Sequence, residues 1–135
     1  MKESLIDTDI LSYFLKGDES VARKFIEYYR EYHYINISII SHFEIIRGLE
    51  YKQASKQLAE FSEFVDKNCE VINLSELSIS HSARIYGDLR RTGKEVGSLD
   101  LLIAGIALER DLELITNNEK HYRDIKGLKM DNWKK

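Results

Sequence analysis

Asp7 directly follows a short aliphatic run in the segment LIDTDIL, near the start of the chain. Three more polar residues stand at comparable places: Glu44 in SHFEIIRGL, Asp100 in SLDLLIAG, and Asn118 after the aliphatic segment LELIT. Open parallel sheets bind ligands at the carboxyl ends of their strands, so these side chains are expected to converge there. Carboxylates that meet within a few ångströms repel one another strongly unless protonation or a cation relieves the charge. The pattern therefore predicts an acidic site.

A hard divalent cation is the simplest partner for such a site. Carboxylate and amide oxygens suit Mg²⁺, with Mn²⁺ as a possible substitute, and we expect Asp7, Glu44 and Asp100 to bind it. The four His residues and the single Cys69 show no spacing typical of a zinc site. The composition of the site therefore favours Mg²⁺ over zinc.

Ordinary structural roles compete with some assignments near the predicted site. Asp9 is expected to flank the amino terminus of a helix, where a carboxylate gains from the helix dipole, rather than to bind metal. Glu44 and Arg47 are spaced i, i+3 on a helix and could form a surface ion pair. Asn118 lies in TNN and could serve as a turn residue.

Strands that alternate with helices predict an α/β/α sandwich around a central, mainly parallel sheet of four to five strands. Strand patterns occur at SLID, YINIS, CEVINL and LELIT, and GLKMDNW could add an edge strand with Trp133 closing the core. Amphipathic helices are expected between the strands. Ser38 or Ser41 is expected to cap the helix SHFEIIRGL, and Ser98 to cap the helix LDLLIAGIALERD.

Length, charge and cysteine content limit the class of protein. The 135 residues predict a single domain over residues 1–135, and the net charge of −3 gives no global attraction for nucleic acid. The single Cys69 cannot form an internal disulfide, which favours a reducing compartment, and no apolar segment has the length of a signal peptide or membrane span. We therefore expect a cytoplasmic protein without a membrane partner.

The segments LIDTDIL, ISIISHFEIIRGL, GSLDLLIAGIALERD and LELITNNEKHY resemble, in order and spacing, the four acidic motifs of PIN-domain ribonucleases. The closest similarity is to the VapC-type toxins of toxin–antitoxin pairs, and it spans almost the whole chain. The resemblance implies a PIN-like fold and a metal-dependent endoribonuclease. Asp7, Glu44 and Asp100 match the acidic metal-site positions, and Thr8 and Thr116 match their hydroxyl neighbours.

Asn118 stands where many PIN domains have a fourth acid, a variant that also occurs among VapC-like proteins. Because a neutral amide neutralises no cation charge, this residue leaves open whether one or two metal ions bind. The resemblance further implies a homodimer and a cognate antitoxin that inserts near the site. It also implies hydrolysis that leaves a 5′-phosphate and a 3′-hydroxyl.

An anionic phosphodiester needs a cation beside an acidic cluster, and it needs basic side chains farther out. Arg47, Arg90 and Arg91 are candidates for phosphate contacts, although Arg90 and Arg91 could instead compensate a helix dipole. His121 and Tyr122 are candidates for stacking on unpaired bases.

Other functions remain open at this level. A degenerate PIN scaffold could bind RNA or a partner without cleaving it. An Asp-x-Asp after a first strand also occurs in aspartate-based phosphatases, and acidic strand ends with Thr116 are found in phospho-accepting receiver domains. The receiver reading lacks an aspartate after the third predicted strand, where the sequence is NLSELS.

Overall fold

A computed structural model describes residues 1–135, and its centre is a five-stranded sheet in which all neighbouring strands run parallel. The spatial order is β3-β2-β1-β4-β5. The strands are β1 (Ser4–Ile6), β2 (Ile35–Ser38), β3 (Cys69–Ile72), β4 (Glu113–Ile115) and β5 (Met130–Asp131). The predicted α/β class with a mainly parallel sheet of four to five strands is confirmed, and β5 lies at the edge as expected.

Seven helices connect the strands and cover both faces of the sheet. They are α1 (Thr8–Leu15), α2 (Glu19–Tyr32), α3 (Ile39–Tyr51), α4 (Ser55–Asn68), α5 (Glu76–Arg91), α6 (Ser98–Arg110) and α7 (Glu119–Tyr122). None of these helices combines the length and the apolar composition that a membrane crossing requires.

Two apolar cores lie on opposite sides of the sheet because successive strand residues point to opposite faces. Leu5 and Leu114 face one core, which α5 and α6 cover, whereas Ile6 and Ile115 face the other, which α1, α2 and α4 cover. Trp133 is buried in the second core, as the sequence predicted. The central strands β1 and β2 are buried on both faces, which is typical of strands in a parallel sheet covered by helices.

The register of the sheet brings distant residues to one edge. Ile6 of β1 pairs with Ile37 of β2 and with Ile115 of β4. The next residues along the three strands, Asp7, Ser38 and Thr116, therefore lie side by side at the carboxyl ends. This alignment places the site, since these positions are far apart in the sequence.

One of the two predicted helix caps is observed and the other is not. Ser38 caps α3 by accepting a hydrogen bond from the Ser41 N–H at 2.9 Å, as predicted. Ser98 is instead the first residue of α6, and Gly97 holds the capping position without a side-chain bond, so the predicted cap was wrong. The extended backbone of Gly97, with ψ near 147°, starts the helix one residue earlier than the cap pattern suggested. The single-turn helix α7 was not predicted.

Gly105 of α6 lies at a close approach of α6 to α5. A Cβ atom there would be 2.0 Å from Ser82 Oγ and 2.4 Å from the Ser78 carbonyl oxygen. Ser82 Oγ itself donates to the Leu101 carbonyl oxygen at 2.7 Å, across the two helices. Only glycine fits this contact, which sets the position of the helix that carries Asp100.

Candidate active site

Asp7 is held by two hydrogen bonds at the end of β1. Its Oδ1 accepts from the Thr8 backbone N–H at 2.9 Å, and its Oδ2 accepts from the Thr116 hydroxyl at 2.8 Å. The Asp7 N–H donates to the Ile115 carbonyl oxygen at 2.9 Å, which continues the pairing of β1 with β4. Both carboxylate oxygens are thus fixed in direction, and each keeps lone pairs for a further ligand.

The charge on Asp7 has no cationic partner in the protein, although the residue is only 3% exposed. No Lys or Arg forms an ion pair with it. Burial raises the pKa of Asp7 to about 7, and the negative charge of Asp9 adds to this rise. The hydrogen bonds from Thr116 and Thr8 lower the pKa again but only in part. A buried carboxylate in this state favours protonation or a bound cation.

Asp9 contributes to the acidic site more directly than its sequence context indicated. Its Oδ1 accepts from the Ile10 N–H at 2.8 Å, which fits the predicted helix-terminal role. Its Oδ2 accepts from the Asn117 N–H at 2.9 Å, in the segment after β4. Burial raises the pKa of Asp9, and the negative charge of Asp100 adds to this rise. The spacing of two residues from Asp7 was the only sequence signal for this role.

Glu44 reaches the site from α3 through Thr8. The Thr8 hydroxyl lies 2.6 Å from Glu44 Oε1 and 2.8 Å from Ser41 Oγ. Arg47 also contacts Glu44, at 3.5 Å, but its side chain is 54% exposed and such a pair adds little stability. The predicted ion pair is therefore present, and it leaves Glu44 on the site side of α3. Ser41 is fully buried and was considered in the sequence only as a cap.

Asp100 lies in the first turn of α6, and two consecutive residues of α7 bind its carboxylate. The Tyr122 hydroxyl donates to Oδ1 at 3.1 Å, and His121 Nδ1 lies 3.0 Å from Oδ2. Tyr122 is fully buried, so the predicted role in stacking on bases was wrong. Burial, together with the charges of Asp7 and Asp100, raises the pKa of the Tyr122 phenol.

Thr116 and Asn118 have different places at the end of β4. Thr116 is fully buried behind Asp7, and its hydroxyl also accepts from the Asn118 backbone N–H at 3.0 Å. Thr116 thus acts on the site by holding Asp7. Asn118 precedes α7 without a side-chain capping bond, and its amide group is exposed to the cavity. Its assignment as a ligand or a turn residue stays a prediction.

These side chains surround one cavity of about 900 Å³, which we name the acidic cleft. Its polar end is lined by Asp7, Thr8, Asp9, Glu44, Asp100 and Asn118. Asp7, Glu44 and Asp100 therefore line one cavity, and their role as metal ligands stays a prediction. Arg90 and Arg91 lie elsewhere, paired with Glu95 at 3.1 Å and with Asp88 at 2.6 Å. Because neither residue lines the acidic cleft, their proposed contact with RNA stays a prediction.

The donor set fits a hard divalent cation by charge and by atom type. Asp7, Asp9 and Asp100 act on one another electrostatically, and the side chains offer only oxygen ligands. In the observed side-chain conformations, however, no three His, Cys, Asp or Glu groups are placed so that they could hold a metal ion together. Glu44 is bound to Thr8, and Asp100 is bound to His121 and Tyr122. Binding of a metal ion by these side chains would therefore require them to rearrange.

Thr8→Val should separate the two roles of Thr8. The backbone N–H that holds Asp7 remains, whereas the hydroxyl that holds Glu44 is lost. We expect the endoribonuclease activity that the resemblance implies to fall by about tenfold, as is usual when the hydrogen-bond partner of a metal ligand is removed. The free energy of unfolding should change by no more than about 1 kcal/mol. Thr92→Val is the matched control because the Thr92 hydroxyl binds the Leu89 carbonyl at the end of α5. Equal cleavage rates in the two variants would contradict a role for Thr8 in placing Glu44.

The fold and the acidic cleft agree with one protein class. The family model described as PIN domain matches residues 4–127, so the chain belongs to the PIN domain family. Within that family, the resemblance to VapC proteins is confirmed by relatives of that name. The tRNA(fMet)-specific endonuclease VapC of Shigella flexneri is 28% identical over 134 residues, which cover 98% of this chain and 99% of the relative. The protein of the same name from Salmonella typhimurium is 34% identical over 98 residues, which cover 72% of this chain and 74% of the relative.

Solved structures of VapBC complexes are also similar to this chain. DNA-bound VapBC from Salmonella typhimurium aligns with a TM-score of 0.88 and 29% identity, covering 98% of this chain and 99% of that one. VapBC2 from Rickettsia felis, bound to a DNA fragment from its promoter, aligns with a TM-score of 0.86 and 26% identity, covering 96% and 98%.

Proposed function

We propose that this protein is an endoribonuclease of the VapC type, which acts as the toxin of a toxin–antitoxin pair and requires Mg²⁺, with Mn²⁺ as a substitute. The observation that carries the proposal is the buried Asp7 carboxylate, without a cationic partner, in one cleft with Asp9, Glu44 and Asp100. The names of the PIN-domain relatives supply the reaction class, which is cleavage of RNA.

The chemistry follows from the charge of the cleft. When bound, Mg²⁺ would neutralise the carboxylates and stabilise charge on the phosphodiester. Asp7 and Asp100 would hold the ion, because hydrogen bonds fix both carboxylates near the carboxyl end of the sheet. Glu44, held by Thr8, would complete the acidic wall from α3. Because the Thr8 hydroxyl already donates to Glu44, the side chain of Asn118 is the one that would remain available for hydrogen bonds to the RNA backbone.

The antitoxin is proposed to bind in the acidic cleft. Away from the carboxylates, the cleft wall becomes apolar, with side chains from α1, α3 and α4. These are Phe14, Leu15, Ile45, Leu49, Phe61 and Phe64. A peptide with an apolar face and a cationic side chain would fit both parts of this surface, because it would bury apolar area and neutralise the carboxylates. Such binding would exclude RNA. VapBC complexes among the similar structures support an antitoxin partner, and the chemistry of the cleft supports this place of binding.

The homodimer is proposed from the resemblance alone, whereas the cytoplasmic location is proposed from the cysteine content and hydropathy of the sequence. A homodimer in the cytoplasm is expected, and sedimentation of the purified protein would test the dimer. The aspartate-based phosphatase and receiver alternatives lose support because the chain belongs to the PIN domain family. A degenerate scaffold that binds RNA without cutting it remains the main competitor.

Incubation of purified protein with total RNA should produce cleavage in Mg²⁺ or Mn²⁺ and none in EDTA, with activity restored when excess metal is added back. Initiator tRNA is the first defined substrate to try, since two relatives are named for it. The products should carry a 5′-phosphate, so they should be substrates for a 5′-phosphate-dependent exonuclease. Binding of RNA without cleavage in any divalent ion would support the degenerate scaffold instead.

A further inference from the structure

Two neighbouring residues, one buried and one exposed, each contact one carboxylate oxygen of Asp100. Tyr122 is fully buried and donates to Oδ1 at 3.1 Å, whereas the His121 side chain is 55% exposed and contacts Oδ2 at 3.0 Å. Because α7 carries both residues, one short helix controls the direction of the whole carboxylate.

We propose that Tyr122 is a positioning residue that fixes Asp100 for the divalent cation, and that His121 is an exchangeable partner that leaves Oδ2 when the cation binds. This inference rests on the proposed metal-dependent function. It assigns roles to two residues that the sequence predicted only as stacking candidates for RNA bases.

The surroundings of Tyr122 make its hydrogen bond rigid. The ring is part of the apolar core formed with α5 and α6, which includes Leu101, Ala104 and Ile125. A packed ring leaves the hydroxyl only rotation about its own C–O bond, and a neutral phenol is protonated near pH 7. Asp100 Oδ1 therefore always has a donor in the same place. A carboxylate held at one oxygen keeps the other oxygen aimed in a constant direction.

The surroundings of His121 make its contact easy to exchange. The imidazole lies at the surface, so it can turn into solvent without disturbing the core. An ionised carboxylate only accepts hydrogen bonds, so Nδ1 must donate to Oδ2 in this contact. A cation that approaches Oδ2 competes for the same lone pairs.

Two substitutions should therefore have opposite effects on metal binding. Tyr122→Phe keeps the ring in the core but removes the donor, and we expect the dissociation constant for Mn²⁺ to rise by about 10- to 100-fold. His121→Ala removes a competitor, so the dissociation constant should stay the same or fall. Titration of RNA-free protein with Mn²⁺, followed by electron paramagnetic resonance, measures both values directly.

Two further measurements separate positioning from simple loss of stability. In metal-free Tyr122→Phe, the ¹³C resonance of the Asp100 carboxylate should shift while that of Asp7 stays in place. With Mg²⁺ and RNA, the variant should lower kcat and leave KM for RNA nearly unchanged, since the buried ring does not touch substrate. Tyr28→Phe is the control, because Tyr28 is also fully buried but its hydroxyl binds the Ser4 backbone. Thermal unfolding of each variant shows that it is folded.

The possible outcomes are distinct. Tight Mn²⁺ binding by the wild type together with equal binding by Tyr122→Phe would overturn the positioning role and leave the proposed function intact. Weaker binding in His121→Ala, to the extent seen in Tyr122→Phe, would overturn the exchangeable role of His121. A wild-type protein that neither binds Mn²⁺ nor cleaves RNA would overturn the metal-dependent function and this inference with it.

Discussion

Asp7→Asn is expected to lose RNA cleavage by about 1,000-fold or more and, at the same time, to make the metal-free protein more stable. The loss of activity follows because the variant cannot supply the negative charge that the proposed cation requires, and about 4 kcal/mol of lost stabilisation corresponds to that factor. Expression of the variant should no longer arrest growth. Cleavage rates with Mg²⁺ and a growth assay measure the two effects.

The gain in stability follows from the raised pKa of Asp7, which is about 7 in the folded protein. Below about pH 4 the carboxyl is protonated in both the folded and the unfolded chain. As the pH rises toward 7, the unfolded chain releases the proton and the folded protein retains it, so folding loses stability. In EDTA at pH 8, we therefore expect Asp7→Asn to raise the free energy of unfolding by about 2 to 4 kcal/mol.

Urea denaturation can be followed by the fluorescence of Trp133, which is the single tryptophan and is buried. The difference between Asp7→Asn and the wild type should grow from pH 5 to pH 8 in EDTA and shrink when Mn²⁺ is added. Asp66→Asn is the control, because Asp66 is exposed on α4 and forms no ion pair. A destabilised Asp7→Asn at pH 8 would contradict the view that Asp7 is a strained, uncompensated charge.

Gly105→Ala should destabilise the protein by about 3 kcal/mol or more, the upper range for overpacking a core. The new methyl group would lie 2.0 Å from Ser82 Oγ and 2.4 Å from the Ser78 carbonyl oxygen. The serine hydroxyl can rotate, but the carbonyl belongs to the backbone of α5, so the two helices must separate. Asp100 lies on the displaced helix, so cleavage should fall as well. Thermal unfolding and cleavage rates measure both effects.

Gly48→Ala is the matched control, because Gly48 is an exposed residue inside α3 with no atom within 4 Å of an added Cβ. This change should stabilise by about 0.5 to 1 kcal/mol, through the higher helix propensity of alanine. The double variant Gly105→Ala with Ser82→Ala should recover only part of the stability, since the Ser78 carbonyl remains. Wild-type stability in Gly105→Ala would mean that the close contact of α5 with α6 is not required.

Local patterns in the sequence were enough to predict the class of fold and the acidic motifs. The aliphatic strands β1 and β4 are buried on both faces, and their continuous apolar character is visible without a structure. Asp7 and Asp100 could be recognised because each directly follows or begins a predicted element. These signals depend only on neighbouring residues in the chain. They can therefore be recognised from secondary-structure propensity and from the spacing of hydrophobic residues.

The roles of Asp9, Tyr122 and Gly105 could not be found in the same way. Asp9 has the local pattern of a helix-terminal carboxylate, and its second bond reaches Asn117, which is 108 positions away. Tyr122 lies in a single turn of helix, too short for a periodic pattern. In the sequence, Gly105 is only a residue of low helix propensity. Its close contact with α5 is visible only in the structure.

The sequence by itself determined the strands, the longer helices and the acidic residue types of this PIN-domain protein. Only the tertiary structure decided which side chains hold the carboxylates, because the order β2-β1-β4 brings Asp7 to Thr116, 109 positions apart. Strand order and helix contacts depend on how separate elements pack together, and residue spacing along the chain does not contain that information.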